Sequence, residues 1–220
     1  MNRQIILAGY LFSLAAVTFW ISWYLMPDPG TTDTLHILKI VKEQRASVLD
    51  SVTVQIISSL LYLTALFLLL QKGFDKRRIN LAGVILLGIG AMGLCADAFF
   101  HLLAYYMTDA SVTIQQDIVT VMNFMQTDAL VFLVPLLLPF FFGSLALAIN
   151  LSKQQIISKT PAWIIGISFI IGIANAIANK AGLIDTGIPM LVILGVFAIG
   201  QAVAGLELMS FSKRLKLAGS

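Results

Sequence analysis

The run INLAGVILLGIGAMGLCADAFFHLLAYYM, Ile79 to Met107, carries one formal charge, Asp97, in an otherwise apolar or small-residue stretch. As a helix rising ~1.5 Å per residue it is longer than the ~30 Å hydrocarbon core of a bilayer, which takes roughly 20 residues to cross. Every backbone N–H and C=O must find a partner within the chain in lipid, so a run like this can only be a helix or a barrel strand. Its continuous rather than alternating apolar pattern selects the helix.

Five further stretches free of Asp, Glu, Lys and Arg lie on either side: Gln4 to Pro27, Ser51 to Gln71, Ala129 to Ser152, Thr160 to Asn179 and Thr186 to Leu206. The fold class expected is therefore all-α, a polytopic membrane protein of six transmembrane helices in one bundle, forming a single domain over residues 1–220. With 59% hydrophobic and 11% charged residues and a mean hydropathy of +0.93, the chain has too little polar surface to face water on all sides. The first span follows Arg3 but is longer than a signal-peptide core, and it ends Trp23-Tyr24-Leu25-Met26-Pro27 instead of at a small-x-small site, so it reads as a retained helix.

Charge assigns the sides. With the N-terminus inside, Arg3, Lys72, Lys76, Arg77, Arg78, Lys153, Lys159, Lys213, Arg214 and Lys216 are cytoplasmic, ten of the 14 basic residues, and Lys39, Lys42, Arg45 and Lys180 are outside. Cytoplasmic loops carry the basic excess, so both termini are expected in the cytoplasm of a plasma (inner) membrane. The net charge of +3 comes largely from these anchors beside anionic headgroups and points to the lipid bilayer, with no nucleic-acid partner. Trp20, Trp23, Tyr24, Tyr105 and Tyr106 would form an outer aromatic belt. Between the spans, Leu35, Leu38, Val41 and Val48 recur at helical spacing, as do Ile114, Ile118, Val121, Met122 and Met125. Both predict amphipathic helical outer loops lying on the surface or over the bundle mouth, the first alternatively an outward extension of the second span.

Most acidic residues have a local explanation. Asp50, Asp128 and Asp185, beside Ser51, Thr127 and Thr186, stand where inward-running helices should begin and are expected as caps. Glu207 is expected to pair with basic residues at the inner interface. Asp97 and His101 differ. Counted from Leu81, Asp97 lies ~24 Å along the span, near a helix C-terminus, where the dipole disfavours a carboxylate. Projected at 100° per residue, the pair shares a stripe with Gly83, Gly90, Gly93 and Ala104, the small-residue pattern of close helix packing. The pair should face the bundle interior.

An Asp and a His one turn apart can relay a proton, supply two metal ligands, or bind a cationic or hydrogen-bonding ligand. They can also be a structural pair, joined by Lys39, Lys42 or Arg45. The ligand-binding set expected is Asp97, His101, Asp128 and Asp50, with Asp97 and His101 also the metal candidates; no cofactor is indicated. His36 and His101 are the only histidines, too few for a three-histidine zinc site, and Cys95, the single cysteine, excludes a multi-cysteine metal site. Pro135 and Pro139 in the fourth span, and Asn175 and Asn179 in the fifth, point to a cavity or to close packing. The leading functional expectation is binding or transport of a small molecule or ion through a polar pocket near the outer side. The alternatives are a metal-dependent enzyme acting on lipid-like substrates and a non-catalytic scaffold, a homo-oligomer or partner of other membrane proteins.

Overall fold

The computed structural model describes residues 2–29, 33–73, 81–112, 115–181, 183 and 187–218. Eight α-helices account for most of them: α1 (Asn2–Leu25), α2 (Thr34–Glu43), α3 (Arg45–Leu68, continued by a π-helical turn Leu69–Gly73), α4 (Leu81–Met107), α5 (Gln115–Thr127), α6 (Leu130–Lys153), α7 (Thr160–Lys180) and α8 (Gly187–Ala218). Six of them, all but α2 and α5, are long and apolar enough to cross a membrane, which supports a multi-pass membrane protein. No strand occurs among the described residues. The predicted cap at Asp185 and Thr186 and the basic run Lys76-Arg77-Arg78 lie outside the described residues.

The six long helices form a ring in the order α1, α3, α4, α6, α7, α8, each antiparallel to its neighbours. Hydroxyls of α3 set the first contact: Ser47, Ser51 and Ser58 donate to the carbonyls of Leu25, Ser22 and Ala15 on α1 at 2.6, 2.7 and 2.8 Å. Ser59 on the same face donates to Ala91 of α4. Such bonds suit a membrane interior, where association has no hydrophobic drive between helices and rests on close packing and interhelical hydrogen bonds.

Glycines set two other contacts. Gly9 and Gly205 cross so closely that a Cβ on either would run into the other's carbonyl, and beside them Ser13 donates to Ala202 at 2.9 Å. On α4, Gly83, Gly90 and Gly93 lie against α6, where Gly90 faces the Phe140 backbone and Gly143 faces Leu87. The small-residue stripe is thus the α4–α6 seam. α6 remains one helix through Pro135 and Pro139.

The centre of the ring is filled by rings of Phe12, Phe19, Tyr62, Phe140 and Phe197, with centroids 5.0–6.3 Å apart. Among them the Tyr62 hydroxyl donates to Gln201 Oε1, Gln201 Nε2 donates to Ser144 Oγ at 2.7 Å, and Ser144 donates to the Phe140 carbonyl at 2.6 Å. Three helices are clamped by one buried polar chain. In contrast, α7 packs mainly on α8 and only lightly on α6.

The two short helices lie across one end of the ring. Asp33 caps α2 through Leu35 and His36 amides at 3.0 and 3.3 Å. Val41 of α2 and Met122 and Met125 of α5 are buried with Val48 and Ala104. Val121, expected on that buried side, is 45% exposed: the packed stripe of α5 is centred on Met122, and Val121, 100° round from it, falls at the stripe's edge.

Other expectations change locally. α3 begins at Arg45, so Asp50 is in its second turn, exposed, and no cap. Ala129 is the N-cap of α6 and makes no side-chain bond, while Thr127 turns back to the Asn123 carbonyl. α5 runs almost directly into α6, so Asp128 closes the first helix through its amide to Phe124. Glu207 accepts from the Ser158 hydroxyl at 2.8 Å and from the Ser158 amide; the side chains of Lys213, Arg214 and Lys216, its expected partners, lie outside those described. Trp20 donates to the Leu191 carbonyl at 3.2 Å, and Trp23 packs on the core, so of the three aromatics ending α1 only Tyr24 is exposed.

Candidate functional site

Asp97 is 5% exposed and is held from two sides. Gln55 Nε2 of α3 donates to its Oδ2 at 2.8 Å. His101 Nδ1, one turn on, lies 2.9 Å from the Asp97 carbonyl and 3.7 Å from Oδ2. A carbonyl only accepts, so Nδ1 carries the proton, and in the neutral ring Nε2 is left as an acceptor. Gln55 is a site residue that the sequence reasoning passed over. Its signal was present: Ser51, Gln55, Ser58, Ser59 and Tyr62 recur at helical spacing along one face of an apolar span, and all are buried.

Arg45, weighed as a partner of Asp97, is used elsewhere. It donates to the Tyr105 carbonyl at 2.8 Å and to Thr108 Oγ1 at 3.1 Å, pairs with Asp109 at 3.1 Å, and lies 3.9 Å over the Tyr105 ring. A cation over the last carbonyls of α4 complements that helix's dipole. Asp109 is held below the ordinary carboxylate range by the Ser111 amide and hydroxyl, then by Arg45.

Beside His101, a cavity of about 60 Å³ opens under α2 and α5. Its walls include Trp23, Asp28, Val41, His101, Met122 and Gln126. That volume holds several water-sized bodies. The Trp23 indole Nε1 is buried and has no acceptor, a cost that a bound acceptor would remove. At the rim Asp28 Oδ2 meets His36 Nε2 at 2.7 Å, linking the segment after α1 to α2.

Asp50 and Asp128 are at this same end but exposed, and neither lines the cavity. Among the described residues no three His, Cys, Asp or Glu side chains come together as a metal site would need. Asn175 is buried on α7 with Nδ2 unpartnered, away from the cavity.

The chain matches no protein-family model, no curated protein and no solved structure. A functional reading of this site therefore rests on its chemistry alone.

Two turns deeper than Gln55, or ~10 Å at 1.5 Å per residue, Tyr62 and Phe140 stand in the central aromatic cluster. The cavity is thus a recess at one end of the bundle with a filled core beneath it. Its polar groups include the His101 imidazole and, at the rim, the Asp28 carboxylate, with the Trp23 indole in the wall. Apolar walls surround these few polar groups, as in many small-molecule sites.

Proposed function

We propose that this chain is a multi-pass, single-domain protein of the plasma (inner) membrane, with both termini cytoplasmic, that binds a small polar molecule or ion in the recess beside His101. Sidedness is supported by the basic excess at the end away from α2 and α5. One observation carries the binding reading: Trp23 Nε1 is buried without an acceptor in the wall of a cavity that His101 also lines. A ligand with an acceptor for Trp23 and a donor for His101 Nε2 would satisfy both.

In this reading His101 contacts the ligand, the main-chain carbonyl of Asp97 orients the imidazole, and Gln55 holds the Asp97 carboxylate. Asp50 and Asp128 have no part in it. Binding is favoured over transport because the aromatic cluster fills the bundle below the recess. A metal-dependent enzyme has less support, since the Asp97/His101 pair gains no third ligand among the described residues.

The test is native mass spectrometry of the full chain after gentle detergent extraction, beside Trp23→Phe and His101→Gln. The expected result is a small molecule or ion on the wild type that both folded variants lose. An empty wild type, or variants that keep the same adduct, would overturn the proposal.

A further inference from the structure

The weak seam of the ring is a second site. Between α6 and α7, at the end opposite α2 and α5, lies an apolar groove of about 330 Å³. Leu145 and Ile149 of α6 and Gly166, Ile167 and Ile170 of α7 form its length. Lys153, the last residue of α6, and Lys159, just before α7, stand together at its mouth with Trp163.

Three features of this groove set its occupant. From Lys159 to Ile170 the helix rises roughly 16 Å at ~1.5 Å per residue, about half the ~30 Å hydrocarbon thickness and so one leaflet. The groove is kept open: Gly166 would place a Cβ 3.5 Å from Leu145 with no other atom within 4 Å, and one turn deeper the Phe169 ring wedges against Phe141 and Phe142 at 6.1 and 4.9 Å. Its chemistry is divided, with two cations and an exposed indole at the mouth and aliphatic walls below. Neither lysine has an acidic partner among the described ion pairs.

We infer that the α6–α7 groove binds an anionic phospholipid, one acyl chain along Gly166 and the headgroup phosphate between Lys153 and Lys159. Basic pockets between membrane helices take anionic headgroups in this way. At the start of α7 the Thr160 amide is taken by Ser158 Oγ, Pro161 has no N–H, and Glu207 is engaged by Ser158, so the headgroup site rests on the two lysines. A zwitterionic lipid would fill the groove equally well but would bring a cation of its own towards the two lysines. The inference needs the chain to be a membrane protein and does not depend on the recess beside His101.

The experiment is native mass spectrometry of the full chain in detergent, titrated with phosphatidylglycerol or phosphatidylcholine of matched chains. Wild type is expected to retain phosphatidylglycerol preferentially. Lys153→Gln and Lys159→Gln should each weaken that retention about fivefold, the effect of one basic residue at an anionic surface, with phosphatidylcholine unchanged. Lys153→Arg with Lys159→Arg should keep the preference, and Gly166→Leu, which fills the groove, should reduce retention of both lipids. Equal retention of the two lipids by wild type, or a preference that survives the double glutamine variant, would overturn the inference. The arginine pair guards against misreading a variant that merely fails to fold.

Discussion

Gln55 Nε2 on α3 and Asp97 Oδ2 on α4 are 2.8 Å apart, both residues buried, and their bond spans two helices at the level where the polar recess begins. An acidic side chain in a membrane span needs a partner, and here a neutral amide supplies it. The imidazole of His101 bonds the main-chain carbonyl of the same residue, which leaves its other nitrogen for the recess.

Gln55→Leu should destabilise the fold by about 1–3 kcal/mol, the cost of leaving a buried polar group without its donor. Asp97→Asn keeps an acceptor for Gln55 and should cost less. Unfolding midpoints in detergent compare the two; a neutral Gln55→Leu would show that the bond contributes nothing.

Tyr62→Phe removes the hydroxyl that bonds Gln201 in the centre of the bundle. Gln201 Oε1 is then buried without that donor, at an expected cost of about 1–2 kcal/mol. A double-mutant cycle with Gln201→Leu should return a coupling energy of the same sign, and strict additivity would rule the clamp out.

Gly90→Ala sets a methyl group against the Phe140 backbone and should cost about 1–3 kcal/mol or more, because main chain cannot yield as a side chain can. Gly88→Ala, on the same helix with nothing within 4 Å of the new Cβ, should be neutral or stabilising by up to ~1 kcal/mol through helix propensity. Similar losses at both positions would mean that the seam is not what the two substitutions report.

The Ser111 amide and hydroxyl, followed by Arg45, lower the pKa of Asp109 in the fold. A carboxyl whose folded pKa is depressed stabilises the protein above its unfolded pKa and loses that contribution as pH falls through the folded value. Stability should therefore decline as the medium is acidified below the unfolded value of 3.8. Asp109→Asn should flatten that part of the profile and leave the neutral region little changed. An identical acid limb in the variant would exclude Asp109 as its source. The effect should be small because the group is exposed and screened.

Read alone, the sequence determined the class of this protein. Runs such as Ile79 to Met107 have no stable state in lipid other than a helix, so their number follows from length and charge. It also placed Asp97 on an inward stripe, because a period of 3.6 residues sorts one helix into faces without reference to any other. What a face meets depends on a second helix, and there the tertiary structure decided. It put the glycines of α4 against α6, took Arg45 to the end of α4 and away from Asp97, and brought Gln55 to Asp97. It also turned Trp23 from an expected belt residue into the wall of a recess. Asp128 looked like the cap of α6, but α5 runs almost directly into that helix and takes Asp128 as its own end; Asp50 looked like a cap because the start of α3 was read from the apolar edge. Helices continue past that edge when their flanks can pack, as α3 does beneath α2 and α5. Span composition is a property of one segment in its solvent, whereas a partner is a property of two segments in register, and register is set only when all six helices close the ring.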